Sequence, residues 1–175
     1  MITTTRTILR PYTPADVAQI APILDDPTTM AFWPQPLDLA AATSWVERSI
    51  TAYATYGLGR WLICTRTTGV VIGDCGVLPI TLEGATEWDL GYIVHHPFWR
   101  QGYALECARA YIAAVPQAGQ IPTLIANMPA DHIASWRTAE ALGFQYERSF
   151  ANPRNRNILT RIYRLVLTEL PAMSL

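Results

Sequence analysis

Arg100, Gln101, Gly102, Tyr103 and Ala104 follow an apolar run, Glu87–Val94, and open a helical pattern. Backbone N–H groups in the first turn of a helix have no intrahelical acceptor, and the helix dipole adds partial positive charge there. A row of such groups binds anions. Arg100 adds a full charge, and Gly102 lets the backbone bend sharply and approach a ligand. The chemistry on offer is a cradle for a phosphate or pyrophosphate. Two common phosphate fingerprints, Gly-Lys-Ser/Thr and G-x-G-x-x-G, are absent. Taken alone, the turn fits an ordinary strand-to-helix loop equally well.

Groups that move protons lie on either side of it. Glu87 and Asp89 alternate with Trp88, which puts both carboxylates on one face of a strand. His132 is of the type that titrates near neutrality and can take a proton from an ammonium group. Ser135 can hydrogen-bond or protonate a leaving group. Each has a plainer reading, His132 as surface or cap and Ser135 as a first-turn helix residue. His95-His96, followed by Pro97, has no third ligand nearby in sequence and reads as loop surface, so no metal is expected. Cys107 reads as a buried small hydrophobe. In Met30-Ala-Phe-Trp-Pro34, Phe32 and Trp33 either cover a substrate or plug the core. Arg154-Asn-Arg156 reads as a solvated hairpin loop.

These residues need a scaffold. Arg6–Tyr12 reads as a strand. Thr13 caps a helix with Pro14 at its first position and Val17, Ile20, Ala21 and Leu24 at helical spacing. A second helix, Leu39–Tyr56, ends at Gly57 and Gly59. Strands follow at Arg60–Arg66, Val70–Leu78 and Glu87–Val94, the last two separated by a loop around Glu83-Gly84. A helix over Ala104–Ala114 is stopped by Pro116. Thr123–Asn127 is a strand, Ile133–Leu142 a helix closed by Gly143, and Tyr146–Phe150 and Ile158–Leu167 are strands. Glu87–Val94, Ala104–Ala114 and Thr123–Asn127 form a βαβ unit. The order predicts an α/β fold with a mixed sheet.

A chain of 175 residues, half of them hydrophobic, with six Trp and eight Tyr, is expected to form one packed domain over 1–175. The net charge of −1 favours neither nucleic acid nor an anionic membrane as partner. All thirteen basic residues are Arg. Three scattered cysteines, no signal-like start and no membrane-length apolar run predict a soluble cytoplasmic protein with reduced thiols.

Trp99-Arg-Gln-Gly-Tyr-Ala104 with Glu106 resembles the acetyl-CoA pyrophosphate loop of the GNAT superfamily of acyl-CoA N-acyltransferases. It is most similar to the ribosomal-protein N-acetyltransferase branch, which typically shows Trp-Gly-Lys-Gly-Tyr-Ala there. Thr5-Arg-Thr-Ile-Leu-Arg-Pro-Tyr-Thr-Pro-Ala-Asp16 resembles that branch's opening strand and cap. Asp89-Leu-Gly-Tyr92 resembles its fourth-strand signature, and Ala134-Ser135 with Leu142-Gly-Phe144 its closing motif. The resemblance runs in order from Thr5 to Leu167.

The resemblance implies a GNAT fold: a largely antiparallel sheet of six to seven strands, about four helices, and a splay between the fourth and fifth strands. It implies that Ile93 and Val94 pair with the pantetheine arm of acetyl-CoA. The amides of Arg100, Gln101, Gly102, Tyr103 and Ala104 hold the pyrophosphate, and Ser135 lies near the thiol. His132 stands where the family has an Asn that binds the cofactor arm. Phe32, Trp33, Glu87 and Asp89 fall where the acceptor binds. The reaction implied is direct attack of a primary amine, on a protein N-terminus or a small molecule, on the thioester. Two family acid–base positions depart: a usual Tyr is Ala139 and a usual Glu is Asn127. Ser135, Asp89 and His132 are the replacements the sequence offers. Those departures also fit a CoA-binding module without turnover. Homodimers are common in the branch.

Overall fold

The computed structural model describes residues 1–114 and 121–167. The strands are β1 (Ile2–Thr3), β2 (Thr7–Pro11), β3 (Arg60–Thr65), β4 (Val71–Leu82), β5 (Ala85–Val94), β6 (Thr123–Pro129), β7 (Gln145–Asn152) and β8 (Ile158–Val166). The helices are α1 (Val17–Leu24), α2 (Leu39–Tyr56), α3 (Tyr103–Ala114) and α4 (Ile133–Ala141). The expected stop at Pro116 lies outside the described residues. Seven strands match the sequence pattern; the eighth is the two-residue β1, too short to carry a period of its own.

Local chemistry sets the helix ends. The Asp38 carboxylate accepts from the Ala41 amide at 2.8 Å and caps α2, which Gly57 closes in a left-handed conformation. Ahead of α1, Asp16 accepts from the amide and hydroxyl of Thr13, each at 2.8 Å. Arg10 forks onto the same carboxylate at 2.6 and 2.8 Å. The fork is the main reason Asp16 is lowered to about 2.

The sheet order is β1-β2-β3-β4-β5-β6-β8-β7. Every neighbouring pair is antiparallel except β5 and β6, which the α3 crossover makes parallel. Alternation along the strands builds two cores. Leu9 and Ile63 pack with Cys107, Tyr111 and Ala139 beneath α3 and α4. Leu62, Cys64 and Ile93 pack with Ile20, Leu24 and Val46 beneath α1 and α2. Adjacent residues of β3 thus serve opposite layers, as a period of two requires.

Two features position the site. Strands β4 and β5 pair from Gly73↔Val94 to Leu82↔Ala85, whereas β5 and β6 share one paired position, Asp89↔Ile125, beyond which they part. The splay therefore leaves the end of β5 without a partner on one side. The α1/α2 layer also stops short of β6 and beyond, leaving the sheet open there as a cleft. Among the described residues no helix is long and apolar enough to cross a membrane.

Candidate active site

The turn expected to cradle an anion follows the end of β5. Arg100 and Gly102 both occupy the left-handed region, at φ 58° and 80°. Glycine does so without strain; Arg100, which carries a Cβ, is held there by its surroundings. The amides of Arg100, Gln101 and Gly102 donate no backbone hydrogen bond among the described residues. Those of Tyr103 and Ala104 open α3, where no intrahelical acceptor exists.

What braces this loop is Arg6, which sequence reasoning missed. Its guanidinium donates to the Gln101 carbonyl at 2.7 Å and to the Glu106 carboxylate at 2.7 Å. Its backbone amide donates to Glu106 at 2.9 Å, and its charge sits 4.4 Å from the centre of the Tyr103 ring. A planar trans peptide points the Gly102 N–H away from the Gln101 carbonyl that Arg6 holds. No sequence signal joins Arg6 to Glu106, which lie a hundred positions apart.

Ile93 and Val94 are buried and pair with Asp74 and Gly73 of β4, with no β6 partner opposite. The Trp99 indole donates to the Val94 carbonyl at 2.5 Å and occupies one of its lone pairs. Ser135 lies buried in the first turn of α4. Across the splay its carbonyl accepts from the Tyr92 hydroxyl at 2.7 Å, and its own hydroxyl donates to that oxygen at 3.3 Å. Burial raises the Tyr92 phenol well above its ordinary value, which keeps it protonated. Tyr92 was legible only as part of a signature; its side-chain role follows from the position of α4.

Asp89 and Glu87 point away from α3 and α4, since Trp88, Leu90 and Tyr92 face that core. Their surroundings separate them. Asp89 Oδ1 accepts from the Asn127 side-chain amide at 2.8 Å, while Oδ2 has no protein partner among the described residues. Burial raises Asp89 to about 6, against the opposing pull of the Asn127 hydrogen bonds. Glu87 is instead held by Arg164 at 2.9 and 3.1 Å and does not line the cleft. The expectation that it meets the acceptor is corrected: a two-point guanidinium clamp occupies its carboxylate.

His132 stacks on Phe32, ring centres 3.8 Å apart and 6° from parallel. Burial lowers it to about 4, so at neutral pH the ring is uncharged and a weak base. That corrects its expected proton-accepting role; Asp89 is better matched. Trp33 meets the Trp45 ring edge-on at 5.3 Å.

These groups converge on a cleft of about 760 Å³. Asp89, Tyr92, Asn127, His132, Ser135, Phe32 and Trp33 all line it. Trp45, Arg48 and Arg60 line it too, as does the β7–β8 turn, including Arg154. Arg100 to Ala104 lie outside it, so cradle and cleft are separate regions joined along the end of β5.

The tertiary structure also supplies what the sequence lacked beside His95 and His96. Asp26 approaches His96 Nδ1 to 2.7 Å, and the three residues cluster. Two ligands of a tetrahedral ion stand about 3.3 Å apart. The closer approach, with Thr29 also donating to Asp26, is a hydrogen-bonded loop anchor. Cys64, Cys75 and Cys107 are free and buried.

Residues 6–145 match the family model described as "Acetyltransferase (GNAT) domain". The protein YkkB of Bacillus subtilis is 29% identical over 127 residues, 73% of this chain and 74% of that protein. An acetyltransferase from Agrobacterium tumefaciens superposes with a TM-score of 0.78 at 24% identity, over 94% of this chain and 92% of its own. A ribosomal L7/L12 alpha-N-protein acetyltransferase (RimL) in complex with coenzyme A gives 0.76 at 17%, over 93% and 95%. At such identities the structural likeness is one of fold. The family match spans the opening strand, the splay, the cradle and α4, and on it the chain belongs to the GNAT acetyltransferase family.

Proposed function

We propose that the protein transfers an acetyl group from acetyl-CoA to a primary amine by direct attack on the thioester. The observation that carries this reading is the splay between β5 and β6. It joins the cradle and the Tyr92–Ser135 pair on one side of the sheet to Asp89 on the other. The free amides of Arg100 to Ala104 suit a pyrophosphate, and coenzyme A is the ligand of the RimL relative. The unpartnered edge of Ile93 and Val94 suits the amides of a pantetheine arm.

In this scheme the acceptor ammonium gives a proton to Asp89 Oδ2, whose value of about 6 suits a base at neutral pH. The amine nitrogen bonds to the acetyl carbon, the carbon–sulfur bond breaks, and the nitrogen releases its second proton to solvent as the amide forms. The departing thiolate takes a proton from the Tyr92–Ser135 hydroxyl pair, which regains it from solvent, so Tyr92 stands in for the family Tyr at Ala139. His132, neutral and stacked on Phe32, shapes the wall. Holding the two reactants against each other at the splay supplies much of the acceleration. A module that binds CoA without turnover is the second reading, motivated by Ala139 and Asn127. Asp89 and Tyr92 favour turnover. The acceptor is a protein N-terminus or a small-molecule amine, and the buried free thiols fit a cytoplasmic setting.

The test is release of free CoA from acetyl-CoA across a panel of primary amines, beside acetyl-CoA binding by calorimetry. Binding with turnover supports the proposal; binding with none leaves the CoA-binding module. Absence of binding at millimolar acetyl-CoA sinks both.

A further inference from the structure

Arg60 is 5% exposed, yet it lines the acceptor cleft. Its Nε and Nη2 are fixed on Asp74 at 3.0 and 2.6 Å. Its Nη1 has no protein acceptor among the described residues. A Cβ on Gly91 would stand 1.8 Å from that nitrogen, so glycine in β5 is what gives it room. Arg48 lies beside it: both guanidiniums rest on the Trp45 ring, at 4.8 Å for Arg60 and 5.3 Å for Arg48. No carboxylate among the described residues lies within ion-pair distance of Arg48, so its charge is uncompensated at the cleft wall. Trp45 itself is locked, its indole N–H donating to Asp74 at 2.6 Å.

Asp74 balances the charge of Arg60, whereas that of Arg48 is left for an anion in the cleft to balance. A planar guanidinium that lines a cleft with one nitrogen unpartnered matches a carboxylate or phosphate oxygen. Gly91 and Asp89 are successive residues on one face of β5, about 7 Å apart along the strand. The amine-handling carboxylate and the cationic end are thus separated by the length of a small amino acid.

Building on the proposed acetyl transfer, we infer that the acceptor amine carries an anionic group, which Arg60 Nη1 and Arg48 bind while the amine faces Asp89. The tryptophan pair Trp33 and Trp45 walls the carbon skeleton between them. Asp74 is a positioning residue, orienting Arg60 without reaching the acceptor.

The test compares matched acceptors: glycine, β-alanine, 4-aminobutyrate and phenylalanine, each beside its carboxamide, with O-phosphoethanolamine as the phosphate arm and an Asp-containing dipeptide as the peptide arm. For at least one pair, kcat/KM for the acid should exceed that for the carboxamide tenfold or more, and Arg48→Gln should bring the ratio close to one. CoA release with carboxamides equal to or better than acids throughout overturns the inference and leaves acetyl transfer standing. A binding readout covers an absence of turnover. With saturating CoA, N-acetylated acids should raise the melting temperature of the wild type, by more than the N-acetylated carboxamides and less in Arg48→Gln. Equal shifts for acid and carboxamide, or none, overturn the inference by that route. Acetyl-CoA binding without turnover, but with an acid-selective shift, removes the transfer reading and keeps the anion site.

Discussion

Tyr92 and Ser135 hold each other across the splay. The tyrosine hydroxyl donates to the serine carbonyl at 2.7 Å, and the serine hydroxyl donates back at 3.3 Å. The two residues lie on different elements, β5 and α4, and meet where β5 parts from β6. Removing either hydroxyl should slow acetyl transfer by about 10²-fold, the low end of what a positioned acid contributes. Because both act on one proton, Tyr92→Phe with Ser135→Ala should cost little more than either alone. Steady-state CoA release from the three variants decides it; multiplicative losses would show that the residues act separately.

Asp89 sets a pH limb. A base with a value of about 6 is protonated and inactive below it, so kcat/KM should rise with pH through about 6 and level off. Asp89→Asn should flatten that limb and lower the plateau. The stability effect has the opposite sign. A carboxyl raised in the folded state above its ordinary 3.8 favours the fold when protonated, and that stability is lost as pH rises from about 4 through about 6. At pH 7 Asp89→Asn should therefore stabilise by about 1–2 kcal/mol, reduced by solvent at the cleft mouth. Urea denaturation at pH 4 and pH 7 checks the sign.

Gly102 stands at φ 80°, with only the tip of Arg6 within contact range of an added Cβ, at 3.5 Å. Space is available, so the cost of Gly102→Val is conformational. A β-branched residue there should destabilise by about 1–2 kcal/mol or turn the loop. A turned loop misaims amides whose bonds to a charged group contribute about 1.5–3 kcal/mol each. Acetyl-CoA affinity by calorimetry should fall about tenfold to a hundredfold. Unchanged affinity would place the pyrophosphate elsewhere.

Arg6 acts on the same loop from outside. Arg6→Ala removes the donor to Gln101 and the partner of Glu106. The pair is partly exposed, so the global loss should be small, about 0–1 kcal/mol. The effect belongs in the Michaelis constant for acetyl-CoA, raised several-fold with kcat little changed.

Asp74 gathers four donors: Tyr12, Trp45 and two nitrogens of Arg60. Its side chain is fully buried. Asp74→Ala strands the Arg60 charge and should cost about 3–5 kcal/mol in chemical denaturation. Replacing both, as Asp74→Leu with Arg60→Met, should recover much of that loss.

How far the sequence reached differs by feature. The periods of two and 3.6, Pro14, Gly57 and Gly143 located the elements, because those signals act within a few residues of the chain. The order of elements and the Trp99–Ala104 turn located the cradle, since helix-start amides are a local property of the backbone. The roles of side chains were another matter. Glu87 and Asp89 alternate identically in sequence, yet Arg164 on β8 takes one and Asn127 on β6 leaves the other half free. His132 is near-neutral by type and becomes a weak base because it is half-buried, stacked on Phe32 from the segment before α2. Proton affinity depends on local dielectric and on neighbouring charge, and both are fixed by residues distant in the chain. So the sequence by itself determined the fold and which turn presents unpaired helix-start amides. The surroundings that set the proton affinity of Asp89 and His132, and that Arg6 braces the loop, were decided by packing between strands and helices that are remote in sequence.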